Sequence, residues 1–166
     1  MIIAVQICGA LPMKIALLVL LALVLTVVVL FASRSYLSRQ SPPALDLVQG
    51  RLRPCPSSPN CVSSEGADAD HAIAALPYQG DRAATERALV TALATLPRSA
   101  IQRRQGDYWH ATQVSAVFRF IDDIELRFDD AARVIQVRSG SRVGYSDMGV
   151  NRKRVEALRS ALQAQP

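Results

Sequence analysis

The sequence predicts an α+β fold: a single antiparallel sheet of four or five strands, covered by two helices and preceded by one transmembrane helix. Three observations support this prediction. Residues 15–32 form an apolar run without a charge, residues 101–138 contain short segments in which polar and apolar residues alternate, and helical patterns flank those segments. Alternation gives a strand one apolar face, and helices cover such a face in α+β proteins.

The apolar run at residues 15–32 is long enough to cross a bilayer. Its 18 residues contain one polar side chain, Thr26. A helix of this length extends about 27 Å, close to the thickness of the hydrocarbon core. The alternative is a secretory signal, whose apolar stretch is usually shorter, about 7–15 residues. We therefore predict a transmembrane anchor or an uncleaved signal at residues 15–32.

The remainder of the chain divides into three parts. Residues 1–14 form an N-terminal segment in which Met13, directly before Lys14 and the apolar run, is an alternative start of translation that would remove Cys8. Residues 33–53 are polar and contain two adjacent prolines, which is typical of a tether. Residues 54–163 are predicted to form the soluble α+β domain.

Within this domain the patterns predict each element in turn. Asp81 is placed to cap a helix at residues 82–96, which Pro97 ends. A turn at residues 129–132 separates the last two strands, and a final helix is expected at residues 149–163. The predicted strands are residues 101–104, 108–114, 117–121, 124–128 and 134–138.

Two cysteines bear on the location of the domain. Cys55 and Cys61 lie six residues apart in a loop rich in Pro and Ser, which favours a local disulfide in an exported chain. Two free thiols, or metal or redox chemistry, are the alternatives. Arg34 and Arg39 after the span, against Lys14 before it, favour a cytoplasmic domain instead. We predict a single-pass inner-membrane protein with a periplasmic domain, and the cytoplasmic orientation is the alternative.

Charge and motifs exclude several functions. The chain has 19 Lys and Arg against 14 Asp and Glu. This modest, scattered excess suits a nearby anionic surface, but it lacks the basic face and aromatic platform of a nucleic-acid binder. The predicted partners are therefore the membrane, through the apolar span, and an anionic ligand or envelope protein, and not a nucleic acid. The sequence has no glycine-rich phosphate loop, dinucleotide fingerprint, HExxH motif or nucleophile elbow. No catalytic residue, metal ligand or cofactor is predicted.

The segment at residues 139–154 is the first candidate site. It carries three glycines and leads from a strand into a helix, whose free N–H groups attract anions. Arg142, Arg152 and Arg154 would add charge-assisted hydrogen bonds to a phosphate or carboxylate. In the alternative interpretation, Asp147 or Asn151 caps the helix and the basic side chains face solvent.

An acidic cluster of Asp122, Asp123 and Glu125 is the second candidate. Strand geometry places Asp123 and Glu125 on one face and Asp122 on the other. Two carboxylates on one face serve as acid and base or hold a cation. The alternative is that they pair with Arg119, Arg127 or Arg138. Neither His71 nor His110 has a nucleophile placed beside it in the sequence.

The chain contains CPSSPNCVSS at residues 55–64, FRFIDDIELRF at 118–128 and RSGSRVGYSDMGVNRKRVEALR at 138–159. Together these segments resemble the family known as domain of unknown function 1499. The resemblance implies a single domain that contains both cysteines, and it carries over no catalytic residue. The resemblance also groups ten positions into one site: Cys55, Cys61, Asp122, Asp123, Ser139, Arg142, Tyr145, Asp147, Asn151 and Arg152.

The leading hypothesis is a membrane-tethered, non-enzymatic envelope domain. It would bind an anionic small molecule, a lipid head group or an envelope protein through residues 139–154. The second hypothesis is an enzyme acting on envelope material, with Asp123 or Glu125 as acid and base and Arg142 holding an anion. The third is a structural partner of another membrane protein.

Overall fold

The computed structural model describes residues 12–40, 43 and 45–165. The chain forms two compact units, Met1–Ser33 and Arg34–Pro166. Most of the predicted N-terminal segment, including Cys8, lies outside the described residues.

Helix α1, Met13–Gln40, contains the entire apolar run at residues 15–32. Among the described residues it is the one helix with the length and composition of a membrane span, and a signal sequence near the N-terminus would meet the same requirement. The Thr26 hydroxyl donates a hydrogen bond to the carbonyl of Ala22 at 2.8 Å. The one polar side chain of the run is therefore satisfied within its own helix, as a lipid environment requires.

The second unit confirms the predicted α+β fold class. Within the described residues it adds two helices, α2 (Arg82–Thr95) and α3 (Val150–Gln163), to a single antiparallel sheet. Five strands follow the order β1-β6-β5-β4-β3, and the short strand β2 also pairs with β6. The strands are β1 (Cys61–Ser63), β2 (Leu76–Pro77), β3 (Ser99–Gln105), β4 (Tyr108–Val114), β5 (Ile121–Asp129) and β6 (Val134–Ser141).

The prediction of a strand at residues 117–121 is wrong. Residues 116–118 form a turn, and Ile121 begins β5. The loop is closed by two hydrogen bonds of 2.9 Å, from the Ser115 N–H to the Phe120 carbonyl and from the Phe120 N–H to the Ser115 hydroxyl. The apolar composition of these residues favours a strand, but the chain must reverse here to connect the antiparallel neighbours β4 and β5. Strands β1 and β2 were not predicted, because two or three residues show no periodicity.

Helices α2 and α3 cover one face of the sheet and enclose the hydrophobic core. Asp81 caps α2 as predicted, since its carboxylate accepts a hydrogen bond from the Ala84 N–H at 2.7 Å. The most deeply buried apolar side chains come from both helices and from the central strands. They include Leu76, Leu89, Ile124, Leu126, Phe128, Ile135, Val137, Val155, Leu158 and Leu162.

The opposite face of the sheet is not in water, although alternating antiparallel strands commonly leave one face solvated. Glu125 on this face is 0% exposed and Asp123 is 2% exposed. Residues of the predicted tether lie against this side: Leu52 is 4% exposed, and its N–H donates to the Glu65 carboxylate at 2.8 Å. Both faces of the central strands are therefore buried, one among apolar side chains and one among ion pairs.

Candidate functional site

The start of α3, the centre of the predicted anion site, is capped by a carboxylate of the chain itself. The two oxygens of Asp147 accept hydrogen bonds from the N–H groups of Gly149 (2.9 Å) and Asn151 (2.7 Å). Gly149 has a φ of 77°, in the left-handed region that glycine adopts without strain. Gly149 occupies the N-cap position itself and has no side chain to accept a hydrogen bond. Asp147, two residues earlier, supplies a carboxylate to the first turn instead, and it uses N–H groups that an external anion would need.

Arg154 is the centre of a buried network between α3 and the sheet. Its side chain is 3% exposed, and the guanidinium pairs with Asp122 and donates a hydrogen bond to Gln113. It also donates to the Ser139 hydroxyl at 2.9 Å and to the Asn151 side-chain oxygen. A buried charge is tolerated only with such partners. Arg154 therefore joins structural elements and is not available to a ligand.

Asn151 connects this network to the segment that follows the cysteine loop. It is 0% exposed. Its amide donates to the carbonyl of Asn60 at 2.9 Å and to the Ser141 hydroxyl at 3.0 Å, and its oxygen accepts from the Ser139 hydroxyl at 2.8 Å. Ser139 and Asn151, which the family resemblance placed in one site, are thus in contact inside the domain.

Arg142 lies on the other face of the sheet, against the acidic cluster. Its guanidinium makes a bidentate pair with Asp123, with Nε–Oδ2 at 2.9 Å and Nη2–Oδ1 at 2.8 Å. His110 Nε2 is 2.8 Å from the same Oδ1. Burial by itself would raise the pKa of Asp123, but the hydrogen bonds from His110 and Arg142 outweigh it and hold this pKa below its ordinary value.

Glu125 is neutralised in the same way on the same face. Arg138 donates to one carboxylate oxygen at 2.7 Å, and the Tyr108 hydroxyl donates to the other at 2.8 Å. Burial, followed by the charge of Glu125, raises the pKa of Tyr108. The expected pairing of this carboxylate with Arg138 is observed. Asp123, Glu125 and Arg142, the three side chains on which the enzyme hypothesis depends, are all engaged in internal ion pairs.

A cleft of about 160 Å³ opens beside the start of α3. Asp147 and Arg152 line one part of it, Asp70 contributes a second carboxylate, and Pro59 and Val62 supply apolar surface. The cleft therefore presents two carboxylates and one guanidinium next to an apolar wall. Its composition suits a group that brings hydrogen-bond donors and a small apolar surface.

The wall of this cleft is fixed by Arg152 and His71. Arg152 donates to the carbonyls of Ala72 (2.8 Å) and Asp70 (3.0 Å). The Nδ1 atom of His71 lies 2.7 Å from the Asp68 carboxylate, and its Nε2 atom lies 3.2 Å from the Ser58 carbonyl oxygen. The hydrogen bond with Asp68 raises the pKa of His71. Arg152 thus positions the loop that carries Asp70.

Three exposed side chains with large apolar surfaces lie near Asp147, two on the segment between β6 and α3 and one at the first residue of α3. Tyr145 is 75% exposed, Met148 is 89% exposed and Val150 is 46% exposed. The backbone that carries them is held on both sides, by Asp147 and by the Asn60 amide, which donates to the Gly144 carbonyl at 2.7 Å. Tyr145 therefore projects from a fixed loop, apart from the other residues predicted to share its site.

Cys55 and Cys61 form the predicted disulfide, with their Cα atoms 5.7 Å apart. Cys61 pairs with Gly140 of β6. A Cβ atom at position 140 would lie 3.4 Å from the Cys61 sulfur, which is van der Waals contact, so the disulfide packs directly against β6. The disulfide fixes the loop that leads into Asn60 and the cleft.

The structure divides the predicted site residues into three groups. Ser139, Asn151 and Asp122 belong to the buried network around Arg154, and Arg142, Asp123 and Glu125 belong to the opposite face. Cys61, Asp147 and Arg152 line the cleft, Cys55 is joined to Cys61, and Tyr145 stands apart. Sequence reasoning did not identify Asn60, Asp70 or the role of His71 at the cleft. The short spacing between His71 and Asp68 was a visible signal for their pairing, whereas nothing local indicated Asn60.

Among residues 12–40, 43 and 45–165, no group of three or more His, Cys, Asp or Glu side chains is arranged to hold a metal ion.

These features define a class of protein: a small α+β domain, closed by a disulfide and covalently continuous with one candidate membrane helix. Residues 51–162 match the family described as "Protein of unknown function (DUF1499)", and the chain belongs to that family. The resemblance seen in the sequence is thereby confirmed. No curated protein matches the chain.

Proposed function

We propose that this protein is a non-enzymatic domain, anchored in the inner membrane by α1 and exposed to the periplasm, that binds an envelope protein at the cleft. The proposed contact surface consists of the cleft and the apolar side chains beside it. The observation that carries the proposal is the exposure of Tyr145 and Met148, at 75% and 89%, on a loop fixed by hydrogen bonds.

Surface composition favours a protein as the partner. Tyr, Met and Arg are enriched at protein interfaces, and exposed apolar patches with a polar rim mark interaction sites. The loop is held in one conformation before binding, which lowers the entropic cost of association. Asp70 and Asp147 in the cleft would accept hydrogen bonds from a basic or amide group of the partner.

The charged residues count against the anion-binding alternatives. Arg142 is paired with Asp123, Arg154 with Asp122, and Arg152 donates to two carbonyls. A phosphate or carboxylate ligand would have to displace the carboxylate partners of Arg142 and Arg154, and at Arg152 it would lie in a cleft that also contains the carboxylates of Asp70 and Asp147. Binding of an envelope protein through the exposed apolar side chains would leave these contacts of the arginines intact.

Site-specific photo-crosslinking in the native host tests this proposal. A photoreactive residue replaces Met148 in the full chain, and the matched control replaces Thr91, which is exposed on α2. We expect one discrete crosslinked protein from position 148 and none from position 91. Loss of an aromatic anchor at an interface costs about 1–2 kcal/mol or more, so Tyr145→Ala should lower the yield by roughly fivefold or more.

Two results would overturn the proposal. Equal crosslinking at positions 148 and 91 would show that the loop contacts proteins only at random. A product at position 148 that Tyr145→Ala leaves unchanged, in a variant whose disulfide is intact, would show that the apolar surface is not the contact.

A further inference from the structure

We infer that the loop between β4 and β5, residues 115–120, docks onto the anionic phospholipid surface of the membrane that α1 enters. This inference rests on α1 being the membrane anchor and is independent of any partner at the cleft. It concerns a part of the domain that none of the candidate sites includes.

The covalent chain limits the distance between this loop and the end of the apolar run. The apolar run ends at Ala32, and Ser38 follows six residues later. Six residues extend about 9 Å as a helix and at most about 20 Å fully stretched. Ser38 is 0% exposed, and its hydroxyl accepts a hydrogen bond from the Ile121 N–H at 2.9 Å. Ser38 thus ties the end of the loop to the first residues beyond the apolar run.

A second contact holds the same junction. Arg142, whose other nitrogens pair with Asp123, donates from Nη1 to the Ser38 carbonyl at 3.3 Å, and its own N–H donates to the Ile121 carbonyl at 3.3 Å. The junction therefore joins the buried ion pairs of the sheet to residues 34–40. The loop cannot move away from this segment without breaking these contacts.

The loop presents an apolar side chain outward in this position. Val117 is 77% exposed, the second largest exposure among the large apolar residues of the domain. The rings of Phe118 and Phe120, on the same loop, lie 5.8 Å apart. Apolar and aromatic side chains are favoured at the boundary between head groups and acyl chains.

Charge favours lipid as the occupant of this surface. Arg34, Arg39 and Arg119 are exposed, and neither residues 33–45 nor residues 113–121 contain an Asp or Glu. A basic side chain near an anionic membrane surface contributes about 1 kcal/mol. Arg119 has a φ of 58°, a left-handed conformation that a non-glycine residue adopts mainly in tight turns.

Fluorescence in nanodiscs tests the inference. The full chain carries Cys8→Ser and Val117→Cys, so that an environment-sensitive label attaches at position 117 while Cys55 and Cys61 remain joined. The matched control carries the label at position 91, on the exposed surface of α2. In discs that contain phosphatidylglycerol and one chain each, we expect blue-shifted emission at position 117 and quenching by spin-labelled lipid, with neither effect at position 91.

Further variants separate the possible outcomes. Arg119→Glu should weaken the quenching at position 117 in anionic discs and leave it unchanged in purely zwitterionic discs. Equal emission at positions 117 and 91 would overturn the inference, and so would quenching that appears only in discs with two chains, because a second copy would then cover the loop. If Val117→Cys fails to form the native disulfide, a label at the exposed position 116 replaces it with the same expectations.

Discussion

At the scale of single residues, this domain buries charge in pairs. Arg154 and Asp122 lie on the side of the helices, whereas Arg142 and Asp123 lie on the opposite face. Adjacent positions in a strand point to opposite faces, so two neighbouring aspartates serve two separate networks. Replacing either partner would leave an uncompensated charge, which costs far more than the pair contributes.

Asp123 gives the domain a specific acid sensitivity. The pKa of Asp123 is held below its ordinary value of 3.8, so the folded state binds fewer protons than the unfolded state. The stabilisation from this group is therefore complete above about pH 4 and is lost as the pH falls through the lowered pKa. We expect the free energy of unfolding of wild type, measured by urea titration in detergent, to fall more steeply below pH 4 than that of Asp123→Asn.

A matched control uses a carboxylate in an exposed pair. Glu156 is 53% exposed and pairs with Arg159 at 2.9 Å on α3. Glu156→Gln should retain the wild-type acid profile, because exposed pairs contribute little to stability. A profile for Asp123→Asn as steep as that of wild type would assign the acid sensitivity to other groups.

At the scale of elements, α3 is placed by contacts at its first turn. Asp147 caps it, and Asn151 joins it to the carbonyl of Asn60. Val155, Leu158 and Leu162 then extend into the core at helical spacing. The sequence pattern predicted this helix and its apolar face, but the pairing of its first turn with the cysteine loop depends on residues about 90 positions apart.

Removal of the Asp147 cap provides a test at this scale. Asp147→Ala leaves the Gly149 and Asn151 N–H groups without their acceptor, so we expect a loss of about 0.5–2 kcal/mol in the free energy of unfolding. Asp147→Asn, which keeps one of the two acceptor oxygens, should lose less stability than Asp147→Ala. Thermal unfolding followed by circular dichroism measures both, and equal losses for the two variants would show that capping is not the role of this side chain.

At the scale of the whole molecule, the disulfide is the feature that bears on location. It encloses a short loop next to β1, and such bonds persist in oxidising compartments. Arg34 and Arg39, immediately after the apolar run, favour the opposite orientation by the positive-inside rule. The proposed binding of basic residues to anionic lipid is a second explanation for the position of Arg34 and Arg39 directly after the apolar run.

The redox state of the thiols in cells tests the proposed periplasmic location. Cells are quenched with acid, free thiols are alkylated, and the intact protein is weighed with and without prior reduction. We expect Cys55 and Cys61 to react only after reduction, because an oxidising compartment preserves their bond. Cys61→Ser, as the control, should expose one additional reactive thiol.

The same masses report the start of translation, since a chain beginning at Met13 lacks Cys8. Reaction of both Cys55 and Cys61 without reduction would contradict the periplasmic location and favour the cytoplasmic orientation.

Local patterns in the sequence were sufficient for the elements and the fold class. The alternation in β5 and β6, the cap and proline that bound α2, and the apolar run of α1 all depend on neighbours within a few residues. The turn at residues 116–118 and the two short strands were not predictable in this way, because their conformation is imposed by the strands and loops against which they lie.

The sequence by itself determined a helix with the length and composition of a membrane span, a small α+β domain and a pair of cysteines close enough to bond. Only the tertiary structure decided which contact each charged side chain makes. Arg142, Arg152 and Arg154 look alike as neighbours on one basic segment, yet one pairs across the sheet, one holds a loop and one is buried under α3. Whether a charged side chain faces a ligand or a partner depends on contacts between distant parts of the chain, which local spacing does not encode.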